Sequence, residues 1–416
     1  MDPVGRLRRG LAGQLGGFGR SVYVVSIGQF VNVFGSGVVY PFATVYFVGE
    51  LGIAFTLIGA GLFANSIARG VGTALGGYFA DHVGRDRVMV ASMALSAIAL
   101  SAYALVRSAT GFAVVATAAG LVAGLYTPAS HAMVADLTGG EDRERAYGLL
   151  KVANNLGFGM GFVTGGVLYG IANVAVFVVD GATSGVVAVI LLLLLPRTVP
   201  TGTTTALRDE LAQWGRAVGE PRLVHLAVLN VIFAIAYAQM QSTVPVFATE
   251  SLGVSSEQLG TLFVLNPLVI VLFQLPMVSW VSRWRRTRGL LLSTGFWAAS
   301  FVAIILAHGG PRLFGIAMVG AFLVLRTLGE ILHSPLATSI ASDLGSAAER
   351  GSQLSVVEIA KRLGFGIGPL IGGAFFDAGL EPMLWPALIG MCGLLAVGVL
   401  LLEHRITPSE NGVTDA

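Results

Sequence analysis

Apolar stretches of about twenty residues or more, bounded by charge, glycine or proline, recur along the chain at 22–47, 56–80, 88–107, 111–135, 146–171 and 174–195. After a polar interval the pattern resumes at 223–249, 258–281, 289–308, 313–340, 352–376 and 383–403. A helix needs roughly 20 apolar residues to cross the hydrocarbon core of a bilayer. Runs this long also exceed what a buried strand uses. The pattern predicts an all-α polytopic membrane protein with twelve transmembrane helices. The one long polar interval carries threonines within 201–205 and a possible amphipathic piece at 207–217. It divides the chain into an N-terminal half (1–195), a linker (196–222) and a C-terminal half (223–416).

Composition agrees, with 55% hydrophobic and only 12% charged residues over 416 positions, where a soluble chain carries roughly 25% charge. The basic residues are placed unevenly. Arg6, Arg8, Arg9 and Arg20 precede span 1, Arg85 and Arg87 follow span 2, and Arg143 and Arg145 follow span 4. Arg197, Arg208, Arg216 and Arg222 follow span 6, Arg283, Arg285, Arg286 and Arg288 follow span 8, Arg350 follows span 10, and Arg405 follows span 12. The alternate connections hold little more than Arg107 and Arg312. Positive charge marks cytoplasmic connections, so both termini and the linker are expected in the cytoplasm of a cell-membrane protein. The first apolar segment is too long for a signal-peptide core and is read as a retained helix. No basic run suggests nucleic acid, and the lone Cys392 excludes an intramolecular disulfide.

The halves repeat. Leu156-Gly-Phe-Gly-Met-Gly-Phe-Val-Thr-Gly-Gly166 aligns without a gap on Leu363-Gly-Phe-Gly-Ile-Gly-Pro-Leu-Ile-Gly-Gly373, an offset of 207 positions. The same offset sets Pro128 on Pro335, Asp136 on Asp343 and Arg143 on Arg350. Six spans separate the copies, so the repeats run parallel across the membrane, as in transporters built from two rocking bundles. Gly157, Gly161 and Gly165, and likewise Gly364, Gly368 and Gly372, recur every four residues and predict faces of close helix packing.

Between spans 2 and 3 stands Gly77-Tyr-Phe-Ala-Asp81-His-Val-Gly84-Arg85-Asp-Arg87. This resembles the signature loop of the major facilitator superfamily, Gly-x-Leu-Ala-Asp-Arg-x-Gly-Arg-Lys. Gly77, Ala80, Asp81, Gly84 and Arg85 match, whereas Phe79, His82 and Asp86 depart. The resemblance implies two parallel six-helix bundles, the major facilitator fold. It also implies a conformational latch in which Asp81 faces the start of helix 11 near Gly351 and Arg85 pairs with Asp81 and Asp136. The second-half loop, Ser282-Arg-Trp-Arg-Arg286, lacks the acid, and a weaker latch is expected there. Gly35-Ser-Gly37-Val-Val-Tyr-Pro41, Tyr237-Ala-Gln239-Met-Gln241-Ser-Thr-Val-Pro245 and Gly329-Glu330 are similar to the drug/proton antiporter branch. The helix 5 signature of that branch has proline where this chain has Phe162, while Pro369 keeps it in helix 11.

Ionisable groups inside a membrane span default to function. Glu330, near the middle of span 10, has Arg326 four residues before it and His333 three after, all on one helix face. A carboxylate that gains a proton as an arginine departs is a coupling element; a permanent ion pair is the alternative. Arg69 in span 2 is a second candidate, without a partner identifiable from sequence. Asn32, Asn65, Asn230, Gln239, Gln241 and Asn266 are candidate cavity-facing amides. Asp180 is read as interfacial, and His131 as a structural group at a helix end. Lys151, Asn154 and Asn155, aligned on Glu358, Lys361 and Arg362, are read as gate or interface charges rather than a binding site.

No phosphate-cradling loop, metal-spaced His/Cys cluster or nucleophile elbow occurs, so neither an enzyme nor a cofactor or metal is expected. The implied partners are a small-molecule substrate, protons and the lipid bilayer. The implied function is secondary transport by alternating access, with proton-coupled efflux of drug-like or amphipathic compounds favoured. Proton-coupled import of a metabolite, or a non-transporting sensor on the same fold, stays open.

Overall fold

The computed structural model describes residues 17–198, 219–344 and 350–413, and among them it contains helices and no strand. Twelve long helices run in order: α1 Arg20–Glu50, α2 Phe55–Val83, α3 Arg85–Leu105, α4 Ala109–Leu137, α5 Gly140–Ile171 and α6 Ala175–Leu194. In the C-terminal half come α7 Pro221–Ser251, α8 Ser256–Val281, α9 Arg286–Ala307, α10 Arg312–Asp343, α11 Arg350–Asp377 and α12 Glu381–Glu403. Nine are long and apolar enough to span a bilayer. The other three, α2, α5 and α11, have 29, 32 and 28 residues but a more polar composition. They are the helices that hold Arg69, Lys151 and Lys361 amid glycine. Leu192, Leu193, Val271, Leu275 and Leu394 lie 68–82% exposed, an outer surface suited to lipid rather than water. Most of the expected linker, with its threonines and amphipathic piece, falls outside the described residues.

The chain forms two compact units. The first gathers the described parts of Met1–Val39, Ala68–Val106 and Val115–Thr203, and the second those of Tyr40–Ile67, Arg107–Val114 and Thr204–Ala416. The second unit therefore holds the C-terminal half together with the Phe55 end of α2 and neighbouring ends of α1 and α4.

In the first unit, Met89 and Met93 of α3, Tyr126 and Met133 of α4 and Val187 and Leu191 of α6 form a core with Val24 and Val25 of α1. Helix α5 lies on α1 through the predicted glycines. A Cβ on Gly157 would come 2.6 Å from the Phe30 carbonyl oxygen, and one on Gly161 would strike that of Phe34. The repeat reproduces this packing in the second unit. There Gly364 meets Val231, Gly368 meets Ile235 and Ala238, and Gly372 meets Thr243, all on α7.

Also within the second unit, the start of α2 lies against the end of α11. Gly59 abuts the backbone at Pro369 and Leu370, and Gly373 abuts Phe55 and Thr56. The Asp377 carboxylate, at the last residue of α11, accepts hydrogen bonds from the Phe55 and Thr56 N–H groups at 2.9 and 2.8 Å. An anion there meets the unsatisfied donors and positive dipole of a helix N-terminus.

The segment after α12 folds back on the same unit. Glu410 pairs with Arg222 at 2.9 Å, and the Asn411 side-chain oxygen accepts the Thr287 N–H at 2.9 Å. Arg222 also donates to Glu220 at 2.7 Å, which holds the Glu220 carboxyl below the usual glutamate range.

Candidate functional site

In the C-terminal half Tyr237, Glu330, His333 and Lys361 line one small cleft, with Arg326 in contact with Glu330. Helix α10 carries Arg326, fully buried, and one turn later Glu330, whose side chain is 22% exposed. Their nearest nitrogen and oxygen lie 3.0 Å apart, yet no guanidinium N–H points at an acceptor with hydrogen-bond geometry. The contact is thus electrostatic rather than a directed fork. Aromatic faces complete the cage: the guanidinium carbon sits 3.9 Å from the Tyr237 ring centre and 5.4 Å from that of Trp297. Rings at these distances stabilise a buried cation.

Local sequence explains why these groups meet. Gly329 leaves room for Trp297, since a Cβ would come 2.6 Å from the indole, and the Ser293 hydroxyl donates to the Gly329 carbonyl at 2.7 Å. Regular α-helix stops in α7 at Ala238 and resumes at Thr243, so Tyr237 ends a helical segment directly over α10. Its hydroxyl donates to one Glu330 oxygen at 2.8 Å, and Asn266 of α8 donates to the other at 3.3 Å. Both carboxylate oxygens are therefore occupied.

The cleft beside this cage holds about 40 Å³. Asn230, Phe233 and Tyr237 of α7, Glu330 and His333 of α10 and Lys361 and Phe365 of α11 line it, with Trp297. His333 shares the helix with Arg326 and Glu330 but does not join their contact; its ring lies 3.7 Å from that of Phe233 and its buried Nε2 has no partner. Lys361 stands eleven residues into α11, roughly 16 Å of helix rise from its start. The reading of Lys361 as a helix-end gate charge is corrected accordingly, because it lines the same cleft as Glu330.

The candidate amides divide. Asn230 lines the cleft while its amide donates to the Leu226 carbonyl, and Asn266 also donates to Thr327. Gln239 does not face a cavity. It is fully buried at the break in α7, donating to the carbonyls of Ile235 and Gly368 and accepting from Thr243 at 2.7 Å. The interrupted helix frees backbone acceptors that have no water to turn to, and a side-chain amide satisfies them. Gln241 lies in the same break; Asn32 and Asn65 are half-buried in α1 and α2.

In the first unit Asp180, expected at the membrane interface, is the sixth residue of α6 and is packed inside the protein, 2% exposed. It presses on α1 where only glycine fits, since a Cβ on Gly35 would collide with its carboxylate. The Gly35-Ser-Gly37 pattern is the available signal, because a helical glycine row marks a face that something must fill. Arg69, on α2 of the same unit, makes no ion pair among the described residues. A separate cleft of about 430 Å³ lies in this unit, lined by Gln29, His131, Tyr147, Lys151 and Asn154.

The loop after α2 turns at Gly84, whose φ of 110° suits glycine. Arg85 pairs with Asp136 at the end of α4 and donates to the Ala132 carbonyl at 3.3 Å. Asp81 makes no ion pair among the described residues, and Gly77 has open space on its Cβ side. Asp86, one of the departures from the signature, accepts the Thr198 hydroxyl at 2.6 Å, and the same hydroxyl accepts the Arg85 N–H. The second-half loop lacks an acid equivalent to Asp81, yet Arg286 reproduces the pair with Asp343 at 2.6 Å.

A repeated, twelve-helix membrane fold with buried charge in its spans defines a transporter of the secondary type. The Major Facilitator Superfamily model matches residues 25–255 and 229–414, and the chain belongs to that family. It is 27% identical over 94% of its length to the MFS-type transporter YttB of Bacillus subtilis (strain 168), covering 97% of that protein. It is 23% identical over 93% of its length to the multidrug resistance protein MdtH of Salmonella arizonae, covering 95% of it. Among solved structures, the nucleoside transporter NupG superposes with a TM-score of 0.80 at 15% identity, over 92% of this chain and 99% of that one. That likeness shows the fold alone.

Proposed function

We propose that this membrane transporter exports small amphipathic or drug-like molecules in exchange for protons, by alternating access across the cell membrane. Both termini and the linker lie in the cytoplasm on this reading, supported by the arginine alternation. The observation that carries proton coupling is the Arg326–Glu330 pair, buried in the caged site of α10. A charge held inside a span is costly unless compensated, so protonating Glu330 removes the compensation that Arg326 needs. Arg326 must then find another anion or shift. That is a differential interaction between two states, which a coupled conformational change requires. The MdtH relative, named for multidrug resistance, supports export over import.

The experiment is reconstitution into proteoliposomes with an imposed pH gradient, scored with a panel of amphipathic solutes. Wild type is expected to move at least one solute against its gradient while protons move the other way. Glu330→Gln is expected to abolish gradient-driven movement while leaving counterflow exchange of the same solute measurable. Gradient-driven transport undiminished in Glu330→Gln would overturn the coupling.

A further inference from the structure

The cleft in the C-terminal half has donors to spare and no free acidic group. Glu330 is the one carboxylate lining it, and its oxygens already receive Tyr237, Asn266 and the Arg326 charge. Against that stand several unmet donors or positive groups. Of the residues lining it, the buried Trp297 Nε1 and His333 Nε2 lack a hydrogen-bond partner, whereas buried polar groups are ordinarily satisfied.

Lys361 settles the sign. It lines the cleft and makes no ion pair among the described residues; the acid nearest on its own helix face, Glu358, is engaged by Arg362 at 3.3 Å. The Arg326–Glu330 pair cancels, leaving the Lys361 ammonium uncompensated. Lysine is also a rare choice here. Every other base of the chain is arginine except Lys151, and Lys151 lines the separate cleft of the first unit. Both lysines stand eleven residues into their helices, α5 and α11. A lysine supplies a compact, mobile point charge, where arginine would lock into a fork. Phe233, Phe365 and Tyr237 form the walls. A volume of about 40 Å³ exceeds one water but not by enough for a whole drug-sized molecule, so it suits one functional group.

From these features we propose that the cleft is an anion subsite: it takes the carboxylate or phosphate head of an aromatic or amphipathic substrate on the Lys361 ammonium, between the rings of Phe233, Tyr237 and Phe365. This names the substrate class for the transport reading, and it rests on that reading only for the movement of the bound anion across the membrane.

The test uses the purified full-length protein in nanodiscs and equilibrium binding by calorimetry. The probes are 1-naphthoate, 1-naphthyl phosphate and the charge-reversed 1-naphthylmethylammonium. The two anions are expected to bind saturably and the cation not, and the tighter anion identifies the head group. Lys361→Gln should weaken anion binding about tenfold or more, the scale of one charge-assisted hydrogen bond. Lys361→Arg should restore most of it, which excludes loss of fold as the cause. Preferential binding of the cation, no saturable anion binding, or anion binding unchanged in Lys361→Gln would each overturn the subsite. Anions that bind but are not moved by a pH gradient leave the subsite standing and sink the coupling reading instead. Cations moved by the gradient with no anion binding do the reverse.

Discussion

Removing the Glu330 charge should destabilise the C-terminal half, and the size of the effect comes from the cage around Arg326. Breaking a buried ion pair by deleting one partner costs about 3–5 kcal/mol, since a charge is left uncompensated. Glu330→Gln keeps an oxygen able to accept from Tyr237, and the Tyr237 and Trp297 faces at 3.9 and 5.4 Å still stabilise the cation, each by about 1 kcal/mol. The expected loss therefore falls at the lower end, about 3 kcal/mol. Arg326→Leu alone should cost a similar amount, because it leaves Glu330 without its counter-charge. The double variant Arg326→Leu/Glu330→Leu should recover at least half of the summed losses, because well-packed apolar residues replace a buried pair at little net cost. Reversible unfolding in mixed micelles, followed by tryptophan fluorescence, measures all four corners of the cycle. Transport separates structure from function, as the double variant should fold yet fail to use a pH gradient. A Glu330→Gln protein within about 1 kcal/mol of wild type, or a double variant as unstable as the two losses added, would refute the pair as an interdependent unit.

Other outcomes rest on single contacts. Asp377→Asn removes the charge that caps α2; a loss of about 1 kcal/mol should appear as roughly fivefold faster hydrogen exchange at Phe55 and Thr56. Gly161→Val and Gly368→Val each force apart helices that meet backbone to backbone, and each should abolish folded yield in size-exclusion chromatography, whereas Gly77→Ala, in open space, should not. Reversing the loop pair as Arg85→Asp/Asp136→Arg should recover transport that either single change loses. Asp180→Asn should preserve the fold but impair transport in the pH-gradient assay, because Asp180 is a buried acid inside a span of the first unit; unchanged transport would leave it a packing residue.

Helix number and the glycine packing faces are legible in the sequence because each is written as a periodicity. Twenty apolar residues or a glycine every fourth position mean the same thing wherever they occur. The Arg326–Glu330 contact is legible for a similar reason, as a spacing within one helix. Sequence does not show which helices face one another. Tyr237, Trp297 and Asn266 complete the cage from α7, α9 and α8, and nothing in their own neighbourhoods distinguishes them from other polar or aromatic residues in spans. Gln239 departs from expectation for the complementary reason. An amide in a span can serve a cavity or a broken backbone, and only the interruption of α7 decides between them. Asp180 has the sequence position of an interfacial group, near a helix end, but burial depends on the facing side chain, and here that is the missing one of Gly35.

The repeat makes the unequal use of its two copies informative. Both copies keep a loop arginine paired to an aspartate ending the fourth helix of the half, Arg85–Asp136 and Arg286–Asp343. The charge cage exists only in the second, where α10 carries Arg326 and Glu330. At the 207 offset the first half has Ala119 and Ala123 on α4 instead. Its buried acid, Asp180, sits on α6. Elements that hold helices together therefore survive duplication in both halves, while the buried titratable groups have settled at non-equivalent positions. Shared architecture and asymmetric charge are what a transporter needs if two similar bundles are to move around one protonation event, since a second identical carboxylate would add a second titration without adding a second substrate site.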